Sequence, residues 1–197
     1  AIRVAFPQVN ILSEEHHPDA PLEGITGAEF RRVHHKYFGG VDKYYAPFIS
    51  PTCDHLFTPK EKRNLFPENN VGIPMVPQLL TKSGEDFLWA AGELAAMGHK
   101  EGNLNLGCPS GTVVAKGKGS GMLRDPDALD AFLEAIFRDA PLPISVKTRL
   151  GFADPEEFPK LLEIFNRYPI QELTLHPRVR KQFYQGDVYL DMFRHAV

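Results

Sequence analysis

Residues 144–167 read ISVKTRLGFADPEEFPKLLEIFNR, a short β-rich run followed by a capped amphipathic helix. Ile144, Val146, Thr148 and Leu150 share one face of the run and Ser145, Lys147 and Arg149 the other, the two-residue period of a strand. Asp154 then stands before Pro155, an N-cap carboxylate ahead of a proline at the first helical position. Glu157, three residues on, completes a capping-box spacing. Phe158, Leu161, Leu162 and Phe165 recur at three- and four-residue intervals, the apolar stripe of a helix. Pro159 removes one early backbone hydrogen bond, so the same stretch predicts an irregular helix start.

Outward from this unit the pattern repeats. Strand-like runs read at 42–49, 75–80, 103–108 and 172–177, and helical patterns at 26–38, 83–97, 126–138 and 188–197. Strand then helix, repeated, means parallel β-α units. Strand starts recur about every 32 residues, so eight units need about 260 residues, close to a (β/α)8 TIM barrel. An open doubly wound sheet is the competitor, but no G-x-G-x-x-G follows a strand. With 172–177 as strand six, the chain holds about six of eight β-α units, an apparently incomplete barrel. Residues 1–19 form an unexplained N-terminal segment: 2–6 or 9–12 could supply a first strand, whereas SEEHHPD before Ala20 is a poor one. Residues 20–197 then form the partial barrel.

Composition bounds the function. The 197 residues are 43% hydrophobic with net charge −3, which supports a folded core and excludes a protein basic all over. Two cysteines, Cys53 and Cys108, cannot build a disulfide framework, so a reducing cytoplasm is expected. No apolar run approaches the ~18–20 residues of a membrane span, so no membrane partner is expected. No metal is expected either: His16–His17 and His34–His35 are adjacent pairs rather than ligand spacings, and there is no C-x-x-C.

Gln78, Asn105, Lys147, Arg149 and His176 all fall toward the carboxyl ends of their strands, where barrel sites are built. A buried Lys or Arg is costly unless paired, so this set points to a polar ligand at the barrel mouth. Cys108, in the turn Asn105-Leu-Gly-Cys-Pro-Ser110, is either a small buried hydrophobe or a nucleophile or proton donor. His176 suits a satisfied core position, a metal or a ligand. Two loops are basic and free of acids: 111–124 with Lys116, Lys118 and Arg124, and 176–182 with Arg178, Arg180 and Lys181. Beside Phe183 and Tyr184 they suit either a solvated rim or a nucleic-acid backbone.

Taken together, NLNLGCPSGTVVAKGKGSGML at 103–123, with APLEGITG at 20–27, VPQL at 76–79, VKTRLG at 146–151 and HPRVRKQFYQG at 176–186, resembles the tRNA-dihydrouridine synthase family. The resemblance implies an FMN-dependent, cytoplasmic enzyme that reduces a uridine in tRNA to 5,6-dihydrouridine, with NADPH or NADH as reductant. It implies hydride transfer from flavin N5 to C6 and protonation of C5 by Cys108 as the catalytic acid. Pro21, Leu22 and Glu23 would contact the cofactor, Pro21 and Leu22 largely through backbone, and Gln78, Lys147 and His176 would hydrogen-bond it. Asn105, Arg149 and Arg178 would hold the flipped base, and the basic rim would carry tRNA phosphates. It also implies that the last barrel strands and a C-terminal helical tRNA-binding domain lie beyond this sequence. The alternatives are a flavin barrel acting on a small pyrimidine, or a non-catalytic RNA-binding fragment. The residues do not set an oligomeric state.

Overall fold

Hydrogen bonding needs of the backbone explain how the runs become sheets. The computed structural model describes residues 10–11, 18–19, 22, 24–38 and 40–196. Its strands are β1 (Asn10–Ile11), β2 (Pro18–Asp19), β3 (Lys43–Tyr45), β4 (Met75–Val76), β5 (Gln78–Leu79), β6 (Gly102–Leu106), β7 (Ile144–Arg149) and β8 (Glu172–His176). Between them come helices α1 (Ala28–Tyr37), α2 (Pro59–Leu65), α3 (Gly84–Ala96), α4 (Gly111–Ala115), α5 (Pro126–Asp139) and α6 (Phe158–Phe165), with α7 (Leu190–Ala196) after β8. Every strand pairing among the described residues is parallel. Parallel neighbours need long crossovers, and the helices supply them.

The strands fall into two sheets rather than one continuous ring, in the orders β1-β8-β7-β6-β5 and β2-β3-β4. The run 75–80, expected as one strand, divides at Pro77. Proline has no N–H to give a ladder, so β4 pairs with β3 and β5 with β6. A single parallel bridge, Ile49 to Leu79, spans the division. At the N-terminus one expectation changes and one holds, while 2–6 lies outside the described residues. Within the poor strand SEEHHPD, the backbone of Pro18–Asp19 pairs with Lys43–Tyr44, with the proline at the first strand residue, where its missing N–H is tolerated. Within 9–12, Asn10–Ile11 pairs with Glu172–Leu173 at the edge of β8.

Local signals end the helices as the residues require. Asp125 caps α5 by accepting from the Ala128 N–H, and Asp154 with Glu157 forms the expected capping box. The irregular start at Pro159 is a 3-10 turn, Pro155–Glu157, before α6. Helix α2 was not expected. Its signal was present: Thr58, Pro59 and Glu61 make a capping box with proline in the first turn. No helix among the described residues is long and apolar enough to cross a membrane.

Apolar strand faces pack under α3, α5 and α6 in one cluster that includes Phe87, Leu104, Leu133, Val146, Phe158 and Leu173. The opposite faces are polar and bond to one another. Gln78 donates to Asn103, Asn103 to Ser145, and Asn105 to Gln78, at 2.7, 2.9 and 2.7 Å. Below them Tyr45 donates to Glu172 at 2.6 Å, and Lys43 bridges Glu172 and Glu101. Burial opposes the Lys43 charge, but its bonds to Glu172 and Glu101 outweigh that and hold its pKa above the usual range. This cluster joins the two sheets across the interior at the amino ends of the strands.

The loop after β7 is shaped by a close approach. A Cβ on Gly151 would meet the Asp154 carbonyl at 2.9 Å and Glu157 Oε2 at 2.6 Å. That carboxylate cannot swing away freely, because it accepts the N–H groups of Phe152, Ala153 and Asp154. We expect Gly151→Ala to destabilise the fold by about 1–3 kcal/mol, the usual cost of overpacking. Thermal unfolding measures it, and an unchanged midpoint would show that the loop gives way without cost.

Candidate active site

The turn after β6 holds a thiol by its backbone. Asn105 Oδ1 accepts from the N–H groups of Gly107 and Cys108 at 3.0 and 2.9 Å. Ser120 returns to the same turn, its Oγ and N–H donating to the Cys108 carbonyl at 2.7 and 3.1 Å. Beside it Gly119 has φ +57°, and a Cβ there would press on the Cys108 carbonyl at 3.0 Å. Asparagine works at position 105 because one side chain supplies an acceptor to the turn and a donor to Gln78. Cys108 is therefore half-buried and fixed in place.

This turn opens onto a cavity of about 280 Å³ at the carboxyl ends of β5, β6, β7 and β8. The register explains the convergence: Asn105 lies opposite Lys147, and Arg149 opposite His176, so all four project to one side. Gln78 and Cys108 complete the polar set, and Leu22 lines the wall. Seven sequence-predicted site residues thus meet at one cavity. Arg178 stands next to it, Nη1 3.1 Å from His176 Nε2. Pro21 and Glu23 lie outside the described residues.

Two wall residues, Phe48 and Tyr184, were missed. Tyr184 had a signal, an aromatic beside a basic loop; Phe48 had none beyond its place at the end of a strand-like run. The Leu22 backbone is engaged internally: its N–H donates to Thr26 Oγ1 at 2.9 Å and its carbonyl accepts from Ile25 and Thr26.

The cavity is cationic, and no carboxylate lines it among the described residues. Lys147 has no hydrogen-bond partner among those residues, and burial, then Arg149, pushes its pKa down. Arg149 is 2% exposed and spends its donors on carbonyls: Nε on Gly107 at 2.8 Å, Nη1 on Phe183 at 2.7 Å and on Val179 at 3.4 Å. Burial, then the charges of Arg149, Lys147 and Arg178, lowers His176 to about 4. The ring is neutral at pH 7 and accepts or donates without adding charge.

That shift sets a pH dependence. An unfolded histidine titrates near pH 6.5, the folded one near 4, so between those values the unfolded chain binds more protons. The stability contribution is complete above pH 6.5 and is lost as pH falls toward 4. We expect His176→Gln to flatten the pH dependence of unfolding in that window. An NMR titration of His176 with a midpoint near 6.5 would refute the assignment.

Parallel β-α units with a thiol-bearing cationic cavity at the strands' carboxyl ends define an α/β protein with a candidate site at the sheet's carboxyl edge. The chain belongs to the dihydrouridine synthase family: the family model described as "Dihydrouridine synthase (Dus)" matches residues 19–194. Among curated proteins it is 32% identical over 171 residues to a probable tRNA-dihydrouridine synthase 1 of Synechocystis sp., covering 85% of this chain and 46% of the relative. It is 36% identical over 179 residues to a probable tRNA-dihydrouridine synthase of Staphylococcus aureus, covering 88% of this chain and 52% of the relative. The chain spans about half the length of these relatives. The resemblance read from residues 103–123 and its supporting segments is borne out.

Proposed function

We propose that this chain carries the catalytic centre of an FMN-dependent reductase that converts a uridine in tRNA to 5,6-dihydrouridine at the expense of NADPH or NADH. The observation that carries the reading is the cavity itself: a fixed thiol and an unpartnered ammonium face one acid-free space. A buried cation without a partner is expensive, and an electron-rich ligand removes the cost.

The residues present fit a flavin. Space of about 280 Å³ lies just below the ~300–1,000 Å³ of typical ligand sites and suits a planar ring system. Lys147 offers an ammonium to its electron-rich edge, and Gln78 and His176 offer neutral hydrogen-bonding groups. Leu22 supplies an apolar contact, and Pro21 and Glu23 adjoin it in sequence. FMN would supply hydride from N5 to C6 of the base. Cys108 holds a proton at Sγ and delivers it to C5. Asn105 keeps one amide hydrogen for the base, and the terminal N–H groups that Arg149 and Arg178 do not give to carbonyls orient it. Such chemistry takes the base out of its stack. In this reading residues 20–197 form the partial barrel, about six of eight β-α units when a first strand from 1–19 is counted with them; the parallel order β8-β7-β6-β5, the β2–β3 pairing and the polar interior support it.

The test supplies the purified chain with FMN, NADPH and an unmodified tRNA transcript, and reads dihydrouridine by mass spectrometry. Product on tRNA, together with stoichiometric flavin uptake, is the expected result. Lys147→Met should weaken flavin binding roughly 10- to 100-fold, the loss of one charged hydrogen bond. Activity on free uracil and none on tRNA would select a small-pyrimidine reductase instead. No flavin uptake would remove the redox reading for this chain.

A further inference from the structure

Two arginines on the rim are held in an unusual way. Arg124, at the end of the 3-10 turn Gly119–Arg124 that follows β6 and α4, places its guanidinium carbon 4.0 Å from the centre of the Phe152 ring. Arg180, in the loop after β8, stacks on the same ring at 5.4 Å and on Phe183 at 4.9 Å. The two charges are therefore no farther apart than their two ring distances together. Like charges within that span repel, weakly through water and more where they are screened less. Neither arginine has a carboxylate within ion-pair distance among the described residues, and Arg180 Nε is buried without a hydrogen-bond partner.

The arrangement is built in advance. The Arg180 and Lys181 N–H groups donate to the carbonyls of Gly151 and Phe152 at 2.9 and 3.2 Å, which zips two loops together. The Phe152 N–H is fixed by Glu157 at 2.6 Å. Phe183 has φ +53°, a left-handed conformation rare for a bulky residue. It leads directly to Tyr184, over whose ring the Arg149 guanidinium stands at 5.3 Å in the cavity wall. Arginine and aromatic thus alternate from the rim to the reactive pocket. Two other cations of the basic loops are engaged: Lys118 donates to Ser50 at 2.8 Å, and Arg178 to the Gly186 carbonyl at 2.9 Å.

We propose that Arg124 and Arg180, stacked on Phe152, form a grip for the phosphates of one RNA strand and deliver the adjoining nucleotide to the cavity at Cys108. A guanidinium whose face is covered by an aromatic ring still presents its planar edge to phosphate oxygens, and two such edges suit neighbouring phosphates. The grip rests on the tRNA reading proposed above and names the surface by which this chain would hold that substrate.

The test compares the wild-type chain with Arg124→Gln, Arg180→Gln and the double variant, measuring affinity for a tRNA transcript across a salt series. Lys160→Gln, an exposed cation elsewhere on α6, is the control. The log–log salt slope should fall by about 0.7–0.9 for each arginine removed, the release of one counterion per phosphate contact. Lys160→Gln should leave the slope unchanged, and all variants should keep wild-type melting and flavin uptake. Arg124 is exposed, so its variant stands even if Arg180→Gln folds poorly. Wild-type binding with unchanged slopes in the variants would make the stack a mere brace between loops and overturn the grip, leaving the tRNA reading intact. No tRNA binding by wild type at low salt would sink both.

Discussion

Alanine at position 108 should lower dihydrouridine formation on tRNA by roughly 10²–10⁴-fold, the usual worth of a positioned general acid, while flavin uptake and folding persist. The separation follows from what holds the turn. Asn105 and Ser120 bind the backbone of Gly107 and Cys108, not the sulfur. Removing Sγ therefore takes away the proton donor and leaves the scaffold. Single-turnover conversion of a tRNA transcript, read by mass spectrometry, measures the loss. Full conversion in the alanine variant would remove Cys108 from the mechanism, and failure to take up flavin would give the residue a structural role instead.

Arg149→Met and Lys147→Met should behave oppositely, although the two residues share a strand face two positions apart. Arg149 serves the carbonyls of Gly107, Val179 and Phe183. Its loss leaves the buried Gly107 carbonyl without its donor and weakens the hold on Phe183 and on Val179, whose carbonyl also accepts from Gln182, and we expect about 2–4 kcal/mol of destabilisation. The loop carrying Phe183 and Tyr184 should also loosen, which hydrogen exchange at 179–184 would reveal. Lys147 has no such partners, and its burial opposes its own charge. Methionine there removes a desolvation cost, so stability should stay within about 1 kcal/mol or rise, while flavin affinity falls. Equal stability losses in the two variants would contradict the division of labour.

Much of this architecture was readable from residue order. The period-two run at 144–150 became β7, and Asp154 and Glu157 capped the turn before α6. Local backbone chemistry settles such features within a few residues, and no distant contact overrides them here. Strand alternation also placed Gln78, Asn105, Lys147, Arg149 and His176 toward the carboxyl ends of their strands before any contact was known. Pairing was less legible. Pro18–Asp19 carries no strand signal yet pairs with β3, and the run at 75–80 changes sheets at Pro77. Main-chain pairing depends on which segment is brought alongside, and side-chain pattern does not encode that directly.

The roles of individual polar groups were decided later still. Arg31 lies on α1 with no mark of its destination, yet it is fully buried and donates to Thr26, Asn64 and Asn70. Glu172 opens β8 and meets Tyr45 and Lys43 from another sheet, contacts more than 120 residues apart along the chain. Arg124, Phe152, Arg180 and Phe183 come from three loops and form one stack only because those loops share a rim. The order of residues sets strand, helix, cap and the side of the sheet on which each group stands, since these follow from backbone geometry over a few bonds. Which charge finds a carbonyl, which finds an aromatic face and which faces an open cavity depends on distances between remote segments, and those exist only once the chain has packed.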